Sequence, residues 1–385
     1  MLQKLLITNC RLFDAPDDKQ TTSILIENGT ITQIGQINSS ADYNNTLDAQ
    51  GRIIAPGFID IHIQGAGGGD ILDATPGALK AISQTCARLG TTGFLATTVF
   101  KPEQENQHLS IAAENVGRDL GGANLLGIHL EGPFISLEKK GMILPESICP
   151  PSLQVLDEIL DITNDHLRMM TIAPELPDST QIIKRLVDSN IIASFGHSSA
   201  TYQQTLDGFE AGISHATHLF NAMPSIHHRS PGPLLAIFQT KHITTQLITD
   251  GVHIHPAVLK FAFQTLGPNR IIPITDGMQA LGLGDGKFIY NGVEYESKNG
   301  TARYKDGTLI GTALGLSQLL EKLIAFTDCP LDVAIKTVTQ NPAALLGIED
   351  KKGIIAPEKD ADLVLLDHDR SVHTTIVAGK IVFQK

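Results

Sequence analysis

The stretch TPGALKAISQTCARLGTTGFLATTVF, residues 75–100, places a helix directly before a strand. Thr75 precedes the first turn, Pro76 takes the first helical position, where its missing N–H would have no partner anyway, and Gly90 ends the helix. GFLATTVF (93–100) then reads as a strand without a charged residue, the pattern of a strand buried on both faces.

The same alternation extends in both directions. Further strand candidates are IIAPGFIDI (53–61), LLGIHLE (125–131), RMMTIAPE (168–175), IIASFGH (191–197), GISHATH (212–218), ITTQLITD (243–250) and RIIPITD (270–276). Amphipathic helical stretches such as STQIIKRLVDSN lie between most of them. Apolar strands alternating with helices call for a parallel sheet covered on both faces, and eight of them fit a (β/α)8 TIM-like barrel. An open doubly wound sheet is the alternative, but GAGGGD (65–70) lacks the last glycine of a dinucleotide-binding fingerprint.

The two ends of the chain read differently. LLITNCRLF, SILIENGTIT and TQIGQI near the start, and ADLVLLD and TTIVAGKIVF near the finish, are β-rich and broken by turn signals such as Asn28-Gly29. The expectation is a small β-sandwich domain from residues 1–54 plus 353–385, flanking a catalytic barrel over 55–352.

Hydrophobic residues make up 42% of the 385 and charged residues 18%, a globular balance. A net charge of −12 argues against nucleic acid as a partner, since a phosphate backbone needs a basic footprint. A small phosphorylated ligand is still compatible, because one Arg and a few backbone N–H groups can hold it. The four cysteines, at 10, 86, 149 and 329, form no C-x-x-C pair and no disulfide framework. The apolar stretch in MLQKLLITNC is too short for a secretory signal, and no run of 18 apolar residues occurs. A cytoplasmic location and no membrane partner are expected.

Polar residues collect at strand ends. His62 follows the first strand, with Gln64 two residues on; Glu131, His197, His218, Asp250 and Asp276 close later strands, and His253 follows Asp250. In a parallel barrel these ends meet at one mouth. Two imidazoles and a carboxylate are a ligand set for Zn²⁺ or a similar ion with an open position, and a further carboxylate, such as Asp276, would move the proton. A single histidine at a strand end is more often a hydrogen-bonded core residue than a ligand. His129 and His215 are read that way and expected to point out of the barrel, His227 and His228 as solvated, His368 and His373 as surface.

The motifs PGFIDIH (56–62), HLEGPF (129–134), GHSSAT (196–201), THLFNAM (217–223), RSPG (229–232), DGVHIHP (250–256), TDGM (275–278) and TLIGTAL (308–314) resemble, in this order, those of the N-acetylglucosamine-6-phosphate deacetylases of the amidohydrolase superfamily. The resemblance spans nearly the whole chain, including GIIAPEKDADLVLLD (353–367). HLEGPF and THLFNAM carry most of its specificity.

The resemblance implies hydrolysis of an acetamide on an amino sugar phosphate. Glu131, His197 and His218 would hold one divalent metal, with Zn²⁺ the first choice and Fe²⁺, Mn²⁺ or Co²⁺ alternatives. His62 and Gln64 would line a weak second position. Asp276 would be general base and then acid. His253 would help at the scissile carbonyl or the phosphate, and Arg229 would hold the phosphate. Met142, Asn221, Ala222, Asp250, Leu309, Ile310, Gly311 and Thr312 would shape the substrate pocket. The family is dimeric, so a homodimer is implied.

Two positions depart from the pattern. Two-metal members read H-x-H where this chain has His62-Ile63-Gln64, and relatives commonly carry His where KKGMI (139–143) ends in Ile143. The second change keeps N-acetylgalactosamine 6-phosphate, or an unphosphorylated N-acetyl sugar, open as the substrate. A cyclic-amide hydrolase is a poorer match, because the fourth strand ends in Ala173-Pro174-Glu175 with no lysine to bridge two metals. A non-catalytic binding protein of this fold would be expected to lose metal ligands, and these are intact.

Overall fold

The computed structural model describes residues 4–16, 20–37, 43 and 45–385. The first three residues of the stretch read for a leader, Met1 to Gln3, lie outside them. Eight parallel strands follow one another in chain order: β1 (Phe58–Ile63), β2 (Thr91–Thr98), β3 (Asn124–Glu131), β4 (Leu167–Ile172), β5 (Ile192–Phe195), β6 (His215–Ala216), β7 (Thr244–Leu247) and β8 (Ile271–Pro273). Each pairs with its neighbour in sequence. The seam between β8 and β1 is drawn together by a parallel bridge between Ile63 and Gly277. Asp60 adds a second tie there, its buried carboxylate accepting from Thr275 Oγ1 at 2.5 Å. This is the TIM-like barrel expected from the alternation.

The helix over Pro76–Arg88 shows why the local reading works. Thr75 Oγ1 accepts from Ala78 N at 3.1 Å, capping the first turn. Leu79, Ile82 and Cys86, spaced three and four apart, then bury one stripe beside Phe94 and Ala96 of β2 and Leu125 of β3.

Three elements differ from expectation. IIAPGFIDI is two strands: Ile53–Pro56 joins a different sheet, and β1 starts only at Phe58. Gly57 makes the crossing, because a Cβ there would lie 2.1 Å from the Thr92 side chain. GISHATH forms only the two-residue β6, since the chain leaves the ladder as it turns towards the barrel mouth. After β8 comes an unforeseen four-stranded antiparallel sheet (Gly286–Tyr290, Val293–Lys298, Thr301–Tyr304, Leu309–Thr312). Its turn signals stand in the sequence: Asn291-Gly292 and Asn299-Gly300 have φ of 46°, 80°, 52° and 80°, the paired positive angles of tight hairpins.

A further sheet takes strands from both ends of the chain, in the spatial order Lys380–Gln384, Val372–Val377, Leu363–Leu366, Ile53–Pro56, Lys4–Leu12, Thr22–Glu27, Thr30–Gly35, with Asn45–Asp48 also beside Lys4–Leu12. Ile7, Ile24, Ile54, Leu363 and Ile376 share one apolar cluster, so residues over 350 positions apart exclude water from a common core. No helix among the described residues is long and apolar enough to cross a membrane.

Candidate metal centre and pocket

Glu131 is the last residue of β3, while His197 and His218 lie just past β5 and β6. Their ligand atoms all fall within 4.8 Å of one another, and all three residues are buried. Glu131 Oε1 lies 2.9 Å from His197 Nε2 and 3.0 Å from His218 Nε2, and the two nitrogens are 3.0 Å apart. His197 Nδ1 lies 2.8 Å from the Lys139 carbonyl, which can only accept, so Nδ1 carries the ring proton and Nε2 presents a lone pair to Glu131. His197 Nε2 and the Glu131 carboxylate, both presenting lone pairs at 2.9 Å, repel unless a cation lies between them. The donor set of two imidazoles and one carboxylate fits a divalent ion.

The local backbone is strained to make this arrangement. His197, His218 and Asp276 have φ of 47°, 26° and 45°, in the left-handed region that non-glycine residues seldom occupy. Glu175 holds the loop after β5, accepting at 2.6 Å from both Ser198 Oγ and Ser199 N. It fills a structural role where the sequence offered no bridging lysine.

Beside the three lies a second polar group. His62 Nε2 is 3.3 Å from Asp276 Oδ1 and 3.6 Å from Glu131 Oε2. Gln64 Nε2 donates to Glu131 Oε2 at 3.1 Å and to Asp276 Oδ1 at 3.3 Å. His62 Nδ1 is 2.9 Å from Gln246 Oε1, which also accepts from His218 N at 3.3 Å. Gln246 was not singled out in the sequence: it lies mid-strand in β7, and only the closed barrel turns it inward. Burial disfavours the charged form of His62, yet Glu131 and Asp276 outweigh it and push its pKa up to about 9. Burial is also the main cause raising the Asp276 carboxyl above its usual range, reinforced by Glu131 and opposed by His62.

The expectation that His129 points out of the barrel is overturned. Its ring meets His62 edge-on at 4.8 Å, and Nε2 lies 2.9 Å from Thr171 Oγ1. His129 is two residues before Glu131 on β3, and residues two apart in a strand share a face. His215 is also fully buried, with Nδ1 2.7 Å from Thr244 Oγ1. Neither joins the metal cluster.

Above the cluster opens a cavity of about 220 Å³ lined by Gly141, Met142, Asn221, Ala222, His253, Leu309 and Ile310 as well as Glu131, His197, His218 and Asp276. Asp250 stands behind this wall. Its Oδ2 accepts from His253 Nδ1 at 2.7 Å and its Oδ1 from the His253 backbone at 2.8 Å, leaving His253 Nε2 as the nitrogen available to a ligand. Gly311 and Thr312 also stand behind it, supporting Asp276: Thr312 N donates to the Asp276 carbonyl at 2.9 Å, and a Cβ on Gly311 would lie 2.3 Å from that oxygen. Gly141, absent from the expected pocket residues, lines it, and a Cβ there would lie 3.3 Å from the His197 ring. Ile143 is 1% exposed and packs with Val99 and Ile135, so it backs the wall as an apolar residue.

Arg229 stands apart from this cavity. It is exposed, stands next to His228 with Nη1 2.8 Å from that ring, and does not line the cavity of its own chain. The loop carrying it projects from the molecule, a direction that motif spacing does not encode.

Comparison with known proteins agrees with this geometry. The profile of the Amidohydrolase family matches residues 53–382. The chain is 36% identical to an N-acetylglucosamine-6-phosphate deacetylase of Bacillus subtilis, covering 100% of this chain and 98% of that protein. It is 32% identical to an N-acetylgalactosamine-6-phosphate deacetylase of Escherichia coli O157:H7, covering 95% of each. Among solved structures it is similar to an N-acetyl-D-glucosamine-6-phosphate deacetylase of Mycobacterium smegmatis, an Asp-to-Ala variant holding N-acetyl-D-glucosamine-6-phosphate, with a TM-score of 0.89, 31% identity and coverage of 99% and 100%.

Proposed function

We propose that this chain, which belongs to the amidohydrolase family, hydrolyses the acetamide of N-acetylglucosamine 6-phosphate to glucosamine 6-phosphate and acetate. The observation that carries this reading is the buried Glu131–His197–His218 cluster at the floor of a cavity large enough for the acetamido end of a sugar, with Asp276 beside it.

Glu131, His197 and His218 hold one divalent ion, Zn²⁺ in our reading. Such an ion makes a coordinated water acidic near pH 7 and polarises an acyl oxygen. Asp276 takes the proton of the attacking water and returns it to the amine as the C–N bond breaks. Its raised pKa suits the first step, since a carboxylate of ordinary pKa would be a weak base at neutral pH. His253, oriented by Asp250, turns Nε2 to the pocket, where it can meet a polar group of the substrate. Asn221 and Ala222 meet the sugar. In the homodimer that the family resemblance implies, the exposed Arg229 would serve the pocket of the other subunit. The four free cysteines and the absence of a spanning helix among the described residues support a cytoplasmic enzyme.

Arg229→Ala is expected to raise KM for the phosphorylated substrate roughly 10- to 100-fold, the worth of a charged hydrogen bond, with a smaller change in kcat. Equal KM values for N-acetylglucosamine and its 6-phosphate in the parent protein would remove the phosphate anchor from the reading.

A second substrate, N-acetylgalactosamine 6-phosphate, is favoured by the apolar Ile143 behind the wall and by the Escherichia coli relative. The deciding experiment is a deacetylation panel on N-acetylglucosamine, N-acetylgalactosamine and their 6-phosphates, with the metal in the purified protein quantified. Acetate release greatest from the glucosamine 6-phosphate derivative supports the first reading, release greatest from its epimer the second, and none from any of the four rejects both.

A further inference from the structure

Glu131 uses its two oxygens differently: Oε1 faces His197 and His218, and Oε2 faces away from them, towards Gln64 Nε2 at 3.1 Å. Asp276 Oδ1 lies 3.3 Å from the same nitrogen. A primary amide has two N–H donors, and here one is matched to each carboxylate. The residue is 1% exposed, and its backbone is pinned at both ends, N donating to the Gly277 carbonyl and O accepting from Ile71 N, both at 2.9 Å. Gln64 Oε1 is buried with no partner. Turning the amide over would bring that oxygen against two carboxylate oxygens, and only a cation placed between them would make such a contact favourable.

We propose that Gln64 is a positioning residue that occupies by hydrogen bonding the place a second cation would need, tying Asp276 to Glu131 and keeping the centre mononuclear. The space between Glu131 Oε2, Asp276 Oδ1 and His62 Nε2 has carboxylates on two sides and would attract a second divalent ion. To become a ligand, Gln64 would have to break both bonds and present a neutral oxygen. With the bonds kept, Asp276 is held at a set distance from the metal ligand Glu131, and its remaining oxygen is left for proton transfer. The effect on turnover rests on the deacetylase reading; the effect on metal content does not.

The test counts metal and measures kinetics on the full-length protein and two variants. After equilibration with excess Co²⁺ and gel filtration, the parent protein should hold one ion per chain, with the spectrum of an isolated Co²⁺ centre. Gln64→Glu replaces both donors by a charged acceptor and should load a second ion, giving magnetically coupled Co²⁺. Gln64→Leu removes the donors without adding a ligand: one ion should remain, with kcat lower by about 10-fold or more and KM within about twofold. Two ions in the parent protein, one ion in Gln64→Glu, or undiminished kcat in Gln64→Leu would each overturn the proposal. Should Gln64→Leu fail to fold, the two metal counts still decide it. Absence of deacetylation by the parent protein would count against the proposed reaction and leave the metal counts standing.

Discussion

Asp276→Asn should lower kcat by about 10²-fold or more while metal content stays at the parent level. The amide keeps the shape of the carboxylate and the backbone contacts that place it, N to the His62 carbonyl at 3.0 Å and O from Thr312 N at 2.9 Å. What it loses is the capacity to accept a proton from water and to deliver one to the leaving amine. The carboxyl pKa is raised, chiefly by burial, so its basic form prevails only above a pH higher than that of an ordinary aspartate. The acid limb of the kcat/KM profile that reports this carboxyl in the parent protein should vanish in the residual activity of the variant. An Asp276→Asn protein turning over at the parent rate would remove Asp276 from the chemistry.

Glu131→Gln should strip the metal. The carboxylate is the only formal negative charge among the three ligands, and both imidazoles lean on the same oxygen. Losing a supporting partner outside the ligand set costs about 10- to 100-fold in metal affinity, and loss of a charged ligand should exceed that. The expected result is metal-free protein after gel filtration, activity below about 1% of the parent and no rise in Tm on adding metal. The parent protein, by contrast, should gain about 4 kcal/mol when free metal stands near 1,000 times Kd. Normal metal content in Glu131→Gln would mean that these side chains do not form the site.

The two substitutions separate functions that the geometry interleaves. Glu131 and Asp276 are linked through Gln64 and approach the same His62 nitrogen, so activity alone would not distinguish them. Metal content does, because only one of the two carboxylates faces His197 and His218.

The helix over Pro76–Arg88 and the strands after it were legible because capping, side-chain spacing and strand composition are properties of neighbouring residues. The placement of Glu131, His197 and His218 at strand ends was legible for the same reason: eight parallel strands have one common mouth, so position along the strand predicts convergence. The antiparallel sheet over 286–312 is equally local, with two Asn-Gly turns marking its hairpins.

Other features depend on contacts between distant residues. His129 shares a strand face with Glu131 by a local rule, but only the closed barrel placed its ring against His62. Gln246 looks unremarkable in sequence, and Gln64 stands out there only as a departure from H-x-H; their roles arise where β7 brings Gln246 to His62 and the end of β1 brings Gln64 to Glu131 and Asp276. Arg229 carried the right chemistry for a phosphate, but the direction of its loop took it out of its own chain's cavity. The sequence by itself determined the alternation of strands and helices and the donor atoms available at one rim, since these follow from local stereochemistry. Only the tertiary structure decided which atoms face one another, because that depends on how strands some 200 residues apart close into a ring.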